Sequence, residues 1–468
     1  MIKHTLLVGL FLGTLASLNA QAPDSVLNFY WASFSDKDGS PYSVDEPEAY
    51  LSQRAIERRE RLNIPVSQQD FPPNPDYLKG LEAAGGHVHH RSRWLNAATF
   101  FASDSAASAV AALPYVDTVW IAGPYRKPLQ ASLRREINYK VDSLLSKRME
   151  GNKYGYGERQ IDLIEGDSLH AMGYRGEGVW VAVLDGGFIG LDVNPFFDSL
   201  RAEGRLLYTL DVVDGDTLVA ESSTHGTKVL STMAADQPEV FVGTAPEASY
   251  ICIKTEDTRG EHRIEECHWV AGIEFADSMG VDIVNSSLGY TIFDDASMNY
   301  DTSSLTGEVS VASQAAEIAV SKGIIVVTSA GNEGGSPWRY IGIPADAPSA
   351  LAVGATDLKG KLASFSSVGL PQRLPVKPDV IAPGAWVFLA DAYRYRVSMG
   401  SGTSFASPIT AGAVACLRQA FPDVPAPILM EAVRRSGSLA EQPNSDEGYG
   451  LPDFAAAYEW LKQRVKQP

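Results

Sequence analysis

Between residues 24 and 125 apolar and polar positions alternate in short runs that read, in order, as strand, helix, strand, strand, helix, strand. The strand-like runs are Val26 to Phe34, His87 to Trp94, Ala97 to Ala102 and Tyr115 to Ala122, and helical spacing covers Pro75 to Ala84 and Ser103 to Leu113. That order is the split βαβ arrangement. One further helix is expected over Asp45 to Leu62, where the run Arg58-Arg59-Glu60-Arg61 reads as a solvated face.

From about 126 to 155 strong apolar clusters thin out among Arg134, Arg135, Lys140, Lys147, Arg148 and Lys153, which reads as a linker and as a place where a maturation cut could fall. Beyond it, over 156 to 465, strand-like runs alternate with helical ones: Val179 to Leu184, Leu206 to Leu210, Tyr250 to Lys254, Asp282 to Asn285, Ile324 to Thr328 and Leu351 to Gly354. Alternation on that scale predicts an α/β domain with a doubly wound, mostly parallel sheet. Ligands of such sheets sit beyond the carboxyl ends of the strands, and Asp185 and Asn332 lie just past two of those ends.

Composition narrows the classes. The 468 residues carry a formal net charge of −18, which argues against nucleic acid or an anionic membrane as the main partner. Lys3 and His4 precede the apolar stretch Leu6 to Leu15 and small residues at Ser17 and Ala20, so residues 1–22 are expected to be a signal peptide, cut after Ala20 or Ala22. No later segment is apolar for long enough to span a membrane, and a secreted or periplasmic product is expected. Three cysteines cannot all pair within one chain. Cys416 reads as a buried thiol, and a Cys252 to Cys267 bridge stays open.

Three distant strings carry candidate chemistry. Ser401-Gly402-Thr403-Ser404-Phe405-Ala406-Ser407-Pro408 puts Ser404 at the head of an apolar helix; His225 opens another in Ser223-Thr224-His225-Gly226-Thr227; Asp185 ends the run Val179 to Leu184. A serine hydroxyl must lose its proton as it attacks a carbonyl, so it needs a base near neutral pKa within hydrogen-bond reach. His225 suits that role, and Asp185 suits the anion that holds the ring and stabilises its positive charge. Taken singly, each residue also reads as a helix cap or a turn.

The order Asp, His, Ser and the local strings resemble the subtilisin-like serine proteases (peptidase family S8). The resemblance adds Ser329-Ala330-Gly331-Asn332-Glu333-Gly334, whose Asn332 matches the donor to the oxyanion, with the backbone N–H of Ser404 as its partner. It implies substrate contacts at Ser287, Leu288 and Gly289 along the cleft, at Ser329, Ala330 and Gly331 in a pocket wall, and at Gly342 as a pocket floor that leaves room for a large apolar side chain. It also implies that residues 24–125 form a ferredoxin-like propeptide, an intramolecular inhibitor of the catalytic domain at 156–465. Two departures stand out: Gly186 follows the aspartate where the family has a hydroxyl residue, and Lys228 replaces a common histidine.

No cofactor is required by this reading. Calcium stabilises many members of the family, but Asp211, Asp214 and Asp216 with Gly215 read better as a solvated hairpin turn. His87, His89 and His90 put two imidazoles on one strand face, short of a zinc ligand set. The expected function is a secreted serine endopeptidase acting on protein or peptide substrates and made as a zymogen. The alternatives are a catalytically inactive peptide-binding scaffold and a peptide ligase or cyclase.

Overall fold

The computed structural model describes residues 26–128, 147–373 and 375–465. The expected signal peptide, and residues 129–146 of the expected linker, lie outside the described residues.

The N-terminal domain follows the predicted order: β1 (Asn28–Phe34), α1 (Gln53–Arg61), α2 (Pro75–Ala83), β2 (His87–Ser92), β3 (Ala97–Ala102), α3 (Asp104–Ala111) and β4 (Val116–Pro124). Its sheet runs β2-β3-β1-β4 with every neighbour antiparallel. β1 is apolar over Phe29 to Ala32 and at Phe34 because both faces are covered. Tyr30, Ala32 and Phe34 meet Leu78, Leu81, Ala107 and Val110 of the domain's own helices, whereas Phe29 and Trp31 join the core of the second domain. Ser103 caps α3 by accepting the Ala106 N–H.

α1 corrects two expectations. The helix begins only at Gln53, capped by Ser52, since Pro47–Ala49 forms a separate 3-10 turn. Only part of its charge run is a solvated face: Glu60 and Arg61 are exposed, but Arg58 and Arg59 are 2% and 1% exposed. They reach across the domain boundary to Asp277, which also takes Arg93 at 3.2 Å. Period-based reading assigns a charge run to solvent because it cannot see a second domain.

The larger domain opens with α4 (Glu158–Asp162) and α5 (Gly166–Ala171). It continues through β5 (Trp180–Asp185), α6 (Asp198–Ala202), β6 (Leu206–Asp211), α7 (His225–Ala234), the short pair β7 (Asp236–Gln237) and β8 (Phe241–Val242), and β9 (Ser249–Lys254). Next come α8 (Ile264–Met279), β10 (Ile283–Ser286), α9 (Val311–Ser321), β11 (Ile325–Ser329), β12 (Leu351–Thr356), β13 (Val380–Pro383), β14 (Val387–Ala390) and β15 (Val397–Gly400). Helices α10 (Thr403–Ala420), α11 (Ala426–Arg435) and α12 (Phe454–Val465) close the chain. Seven strands form one parallel sheet in the order β13-β12-β11-β10-β5-β9-β6. Six are the predicted runs. The seventh, β13, is absent from them because it is a four-residue edge strand ending in Pro383.

The end of the expected linker is pinned to this domain: Tyr154 is buried against Ile161 and Val242, and Tyr156 donates its N–H to the Val240 carbonyl. All three cysteines are free and buried, so the Cys252 to Cys267 bridge does not form. At the turn after β6, Asp211 is buried with the Lys254 ammonium 2.6 Å away, and Lys254 also lies 3.5 Å from Asp214 and from Glu221. The turn expected there forms, bridged by Asp211 and Asp216 with Gly215 and Asp216 exposed, but Asp211, Asp214 and Glu221 surround a protein cation. Among the described residues no helix is long and apolar enough to cross a membrane.

Candidate active site

Asp185 ends β5, the strand between β10 and β9 in the middle of the sheet, and is fully buried. The chain turns at once through Gly186-Gly187. Gly187 has φ 139°, and a Cβ there would stand 2.2 Å from the Glu221 carbonyl, so no other residue type fits. The start of α7 closes over the same loop; a Cβ on Gly226 would come within 2.6 Å of the Gly187 oxygen. This interlock lays the His225 ring against the aspartate, with both carboxylate oxygens 2.9 Å from Nδ1. Since a carboxylate only accepts, Nδ1 carries the proton and Nε2 faces away as the acceptor.

The hydroxyl expected after Asp185 is not needed to aim the carboxylate. The Gly186 N–H itself donates to Oδ1 at 2.7 Å. Burial acts to lower the His225 pKa, but the Asp185 charge and its hydrogen bond outweigh burial, and the net shift is upward from 6.5. Lys228, half-buried on the next turn, opposes that rise.

Ser404 is the second residue of α10, and its side chain stands among buried neighbours with 8% exposure. Pro408, four residues on, has no N–H to give the Ser404 carbonyl, which is thereby released from the helix ladder. Ser287 takes the vacancy: its hydroxyl donates to the Ser404 oxygen at 2.8 Å, while Ser404 Oγ donates to the Ser287 oxygen at 3.3 Å. Asn285 and Ser407 continue the stitch, Asn285 donating to Ser287 Oγ and accepting from Ser407 Oγ. The next side chain of α10, Phe405, lies 5.9 Å from the His225 ring, centroid to centroid. Among the described residues no hydrogen bond joins Ser404 to His225.

Asn332 is exposed on the loop after β11, and its orientation is fixed by donors. The Thr403 N–H and Thr403 Oγ1 both donate to Oδ1, at 2.9 and 3.1 Å. That bonding identifies the oxygen and leaves the amide N–H groups of Nδ2 turned outward. The Gly331 N–H in turn donates to Thr403 Oγ1, so a chain of bonds ties this loop to the start of α10.

The structure also gathers the expected substrate residues. Ser329 Oγ reaches the Leu288 carbonyl at 3.5 Å, and the Gly342 N–H donates to the Ala330 oxygen at 3.0 Å. Tyr290 and Ile343 form an antiparallel bridge, and a Cβ on Gly342 would meet Gly289 Cα at 3.6 Å and Gly331 lies alongside. Ser287, Leu288, Gly289, Ser329, Ala330, Gly331 and Gly342 thus lie on adjoining segments, with Ser287 bonded to Ser404. Two residues escape a reading of the sequence: Thr403, which looks there only like a cap, and Glu256. Glu256 packs beside Gly186 and accepts the Tyr290 hydroxyl at 2.5 Å, and burial pushes its carboxyl up to about 8. Nothing in its local string signals that role.

Comparison with known proteins agrees with this geometry. Residues 176–451 match the Subtilase family, and residues 29–137 match the Peptidase S8 propeptide domain of Bacteroidota. Subtilisin DY of Bacillus licheniformis is 34% identical over 268 residues, 57% of this chain and 86% of that protein. Subtilisin E of Bacillus subtilis is 33% identical over 265 residues, 56% of this chain and 61% of its own length. The solved structure of the prenylagaramide maturation protease PagA superposes with a TM-score of 0.50 at 24% identity, covering 63% of this chain and 98% of that one, a likeness of fold. A parallel sheet with Asp185 at the carboxyl end of an interior strand and His225 and Ser404 at the starts of two helices, preceded by a propeptide domain, fits the families matched, and the chain belongs to the subtilase family.

Proposed function

We propose that the chain is an exported serine endopeptidase, made as a zymogen, that hydrolyses peptide bonds through an acyl-enzyme. One observation carries the reading: the Asp185 carboxylate holds His225 by Nδ1, leaving Nε2 to accept, and the ring lies beside Phe405, the residue next to Ser404 at the helix tip. Rotation of Ser404 by one staggered step takes Oγ from the Ser287 carbonyl to the imidazole side. The hydroxyl then attacks the scissile carbonyl as its proton passes to Nε2. Charge developing on the carbonyl oxygen would be met by Asn332 Nδ2, from the loop after β11, and by the Ser404 N–H at the start of α10. His225 returns the proton to the leaving amine, and water repeats the steps in reverse to free the acid.

Residues 287–289 offer backbone to an extended peptide, which would pair with them as an added strand. Ser329, Ala330, Gly331 and Gly342 would receive its large apolar side chain. The N-terminal domain serves as the inhibitor of its own catalytic domain, with maturation by a cut between 126 and 155 and export directed by residues 1–22. The bond from Ser404 Oγ to Ser287 is the observation that favours a peptide-binding scaffold instead. A fluorophosphonate probe decides between the two: labelling of mature protein that disappears in Ser404→Ala supports the enzyme, and no labelling supports the scaffold. Retention of full length by Ser404→Ala, with loss of the N-terminal domain in the parent, supports self-processing; identical processing of both assigns the cut to another protease.

A further inference from the structure

Where β2 crosses α8, the strand breaks its alternation. Val88 pairs with Phe100 and His90 with Thr99, so His89 is an extra residue in a β-bulge. In a regular strand His89 and His90 would face opposite ways. The bulge turns both toward α8, their ring centroids 3.9 Å apart, and His268 of α8 completes a triangle at 5.6 and 5.4 Å. His87, expected to share a face with His89, instead stacks on Phe101.

The three imidazoles present one ring nitrogen each within 4.8 Å of one another. His90 and His268 are 8% and 1% exposed. Nε2 of His89 and Nε2 of His90 have no hydrogen-bond partner, and neither nitrogen of His268 makes a bond of good geometry, only a weak contact with the Thr255 backbone. Phe29 packs against His89 and His268, so the surroundings are apolar. Burying polar nitrogens unpaired is costly, and a shared ligand would offset the cost at all three. The cations facing His268 are already engaged: Lys254 with Asp211 and Arg259 with Asp257, each at 2.6 Å.

We propose that His89, His90 and His268 bind one divalent ion of the zinc class, bridging the N-terminal domain to α8. Imidazole nitrogens suit zinc at roughly 2.0–2.1 Å, and three such ligands with a water complete a tetrahedron. Small side-chain rotations bring the nitrogens from their present spacing to the roughly 3.3 Å edge of that tetrahedron. Because two ligands come from one domain and the third from the other, the ion acts as a clasp: its removal loosens docking without touching the catalytic cleft.

The test uses the untagged full chain carrying Ser404→Ala, so that the two domains stay joined. After chelation, zinc is titrated calorimetrically and cobalt is titrated by visible absorption. Uptake of one equivalent with the strong visible band of tetrahedral cobalt is expected. His89→Gln and His268→Gln should weaken binding by more than the roughly 10- to 100-fold that loss of an outer partner brings, whereas His87→Gln should leave it unchanged. No saturable cobalt band with the histidines intact overturns the proposal, as does parental affinity in both folded glutamine variants. Should those variants fail to fold, the cobalt titration of the intact cluster decides alone.

Discussion

The catalytic cleft and the seam between the two domains both bury charge, and they treat it in opposite ways. At the seam, Asp277 takes Arg58, Arg59 and Arg93, and Glu274 accepts from Ser92 Oγ and the backbone N–H groups of Arg93 and Trp94. Burial alone would raise the Asp277 pKa, but the three guanidiniums hold it well below the usual carboxylate range. In the cleft, Asp185 is equally buried, yet its partner is a ring whose other nitrogen is open, and Asn332 spends only its oxygen on the protein. Carboxylates whose oxygens are all engaged fix a geometry. Groups left half-satisfied beside them are the ones that can act on a substrate.

The sharpest break of that contrast is Ser404→Ala, expected to lower kcat by roughly 10^6-fold in a peptide-hydrolysis assay, the loss known for removal of the nucleophile in subtilisin. Asp277→Ala attacks the opposite region. Leaving three guanidiniums without their shared carboxylate should cost about 3–5 kcal/mol, read by urea unfolding in a Ser404→Ala background; a loss under about 1 kcal/mol would show that the seam contributes little. Asn332→Ala should reduce kcat by roughly 10^2- to 10^3-fold with KM little changed, again the subtilisin magnitude.

pH sharpens the comparison further. Turnover needs the neutral imidazole, and Asp185 raises the His225 pKa, so kcat/KM should fall as pH drops through a value above 6.5. In Asp185→Asn the same limb should move to lower pH; an unmoved limb would assign it to another group. The smallest effect expected is from Gly342→Val, a roughly 10-fold loss of cleavage after large apolar residues relative to small ones, read from peptide-library products.

Much of this was legible in residue order. The strand runs mark six of the seven parallel strands because buried parallel strands are apolar throughout, and Asp185, His225, Asn332 and Ser404 stand inside specific local strings. What stays hidden depends on contacts between distant segments. Arg58 and Arg59 resemble any helical charge run until Asp277 is brought against them, and the pairing of His89 with His90 depends on a bulge that period-two counting excludes. Glu256 is likewise defined by Tyr290, 34 residues away.

At position 408 an ordinary residue would reclaim the Ser404 carbonyl for the helix and give Ser287 a rival donor. The proline ring thus makes the Ser404 peptide unit a shared joint between two elements, so that a shift of residues 285–287 also pulls on the backbone beneath Ser404. The position of residue 287 and the aim of the Ser404 hydroxyl are linked through one missing N–H.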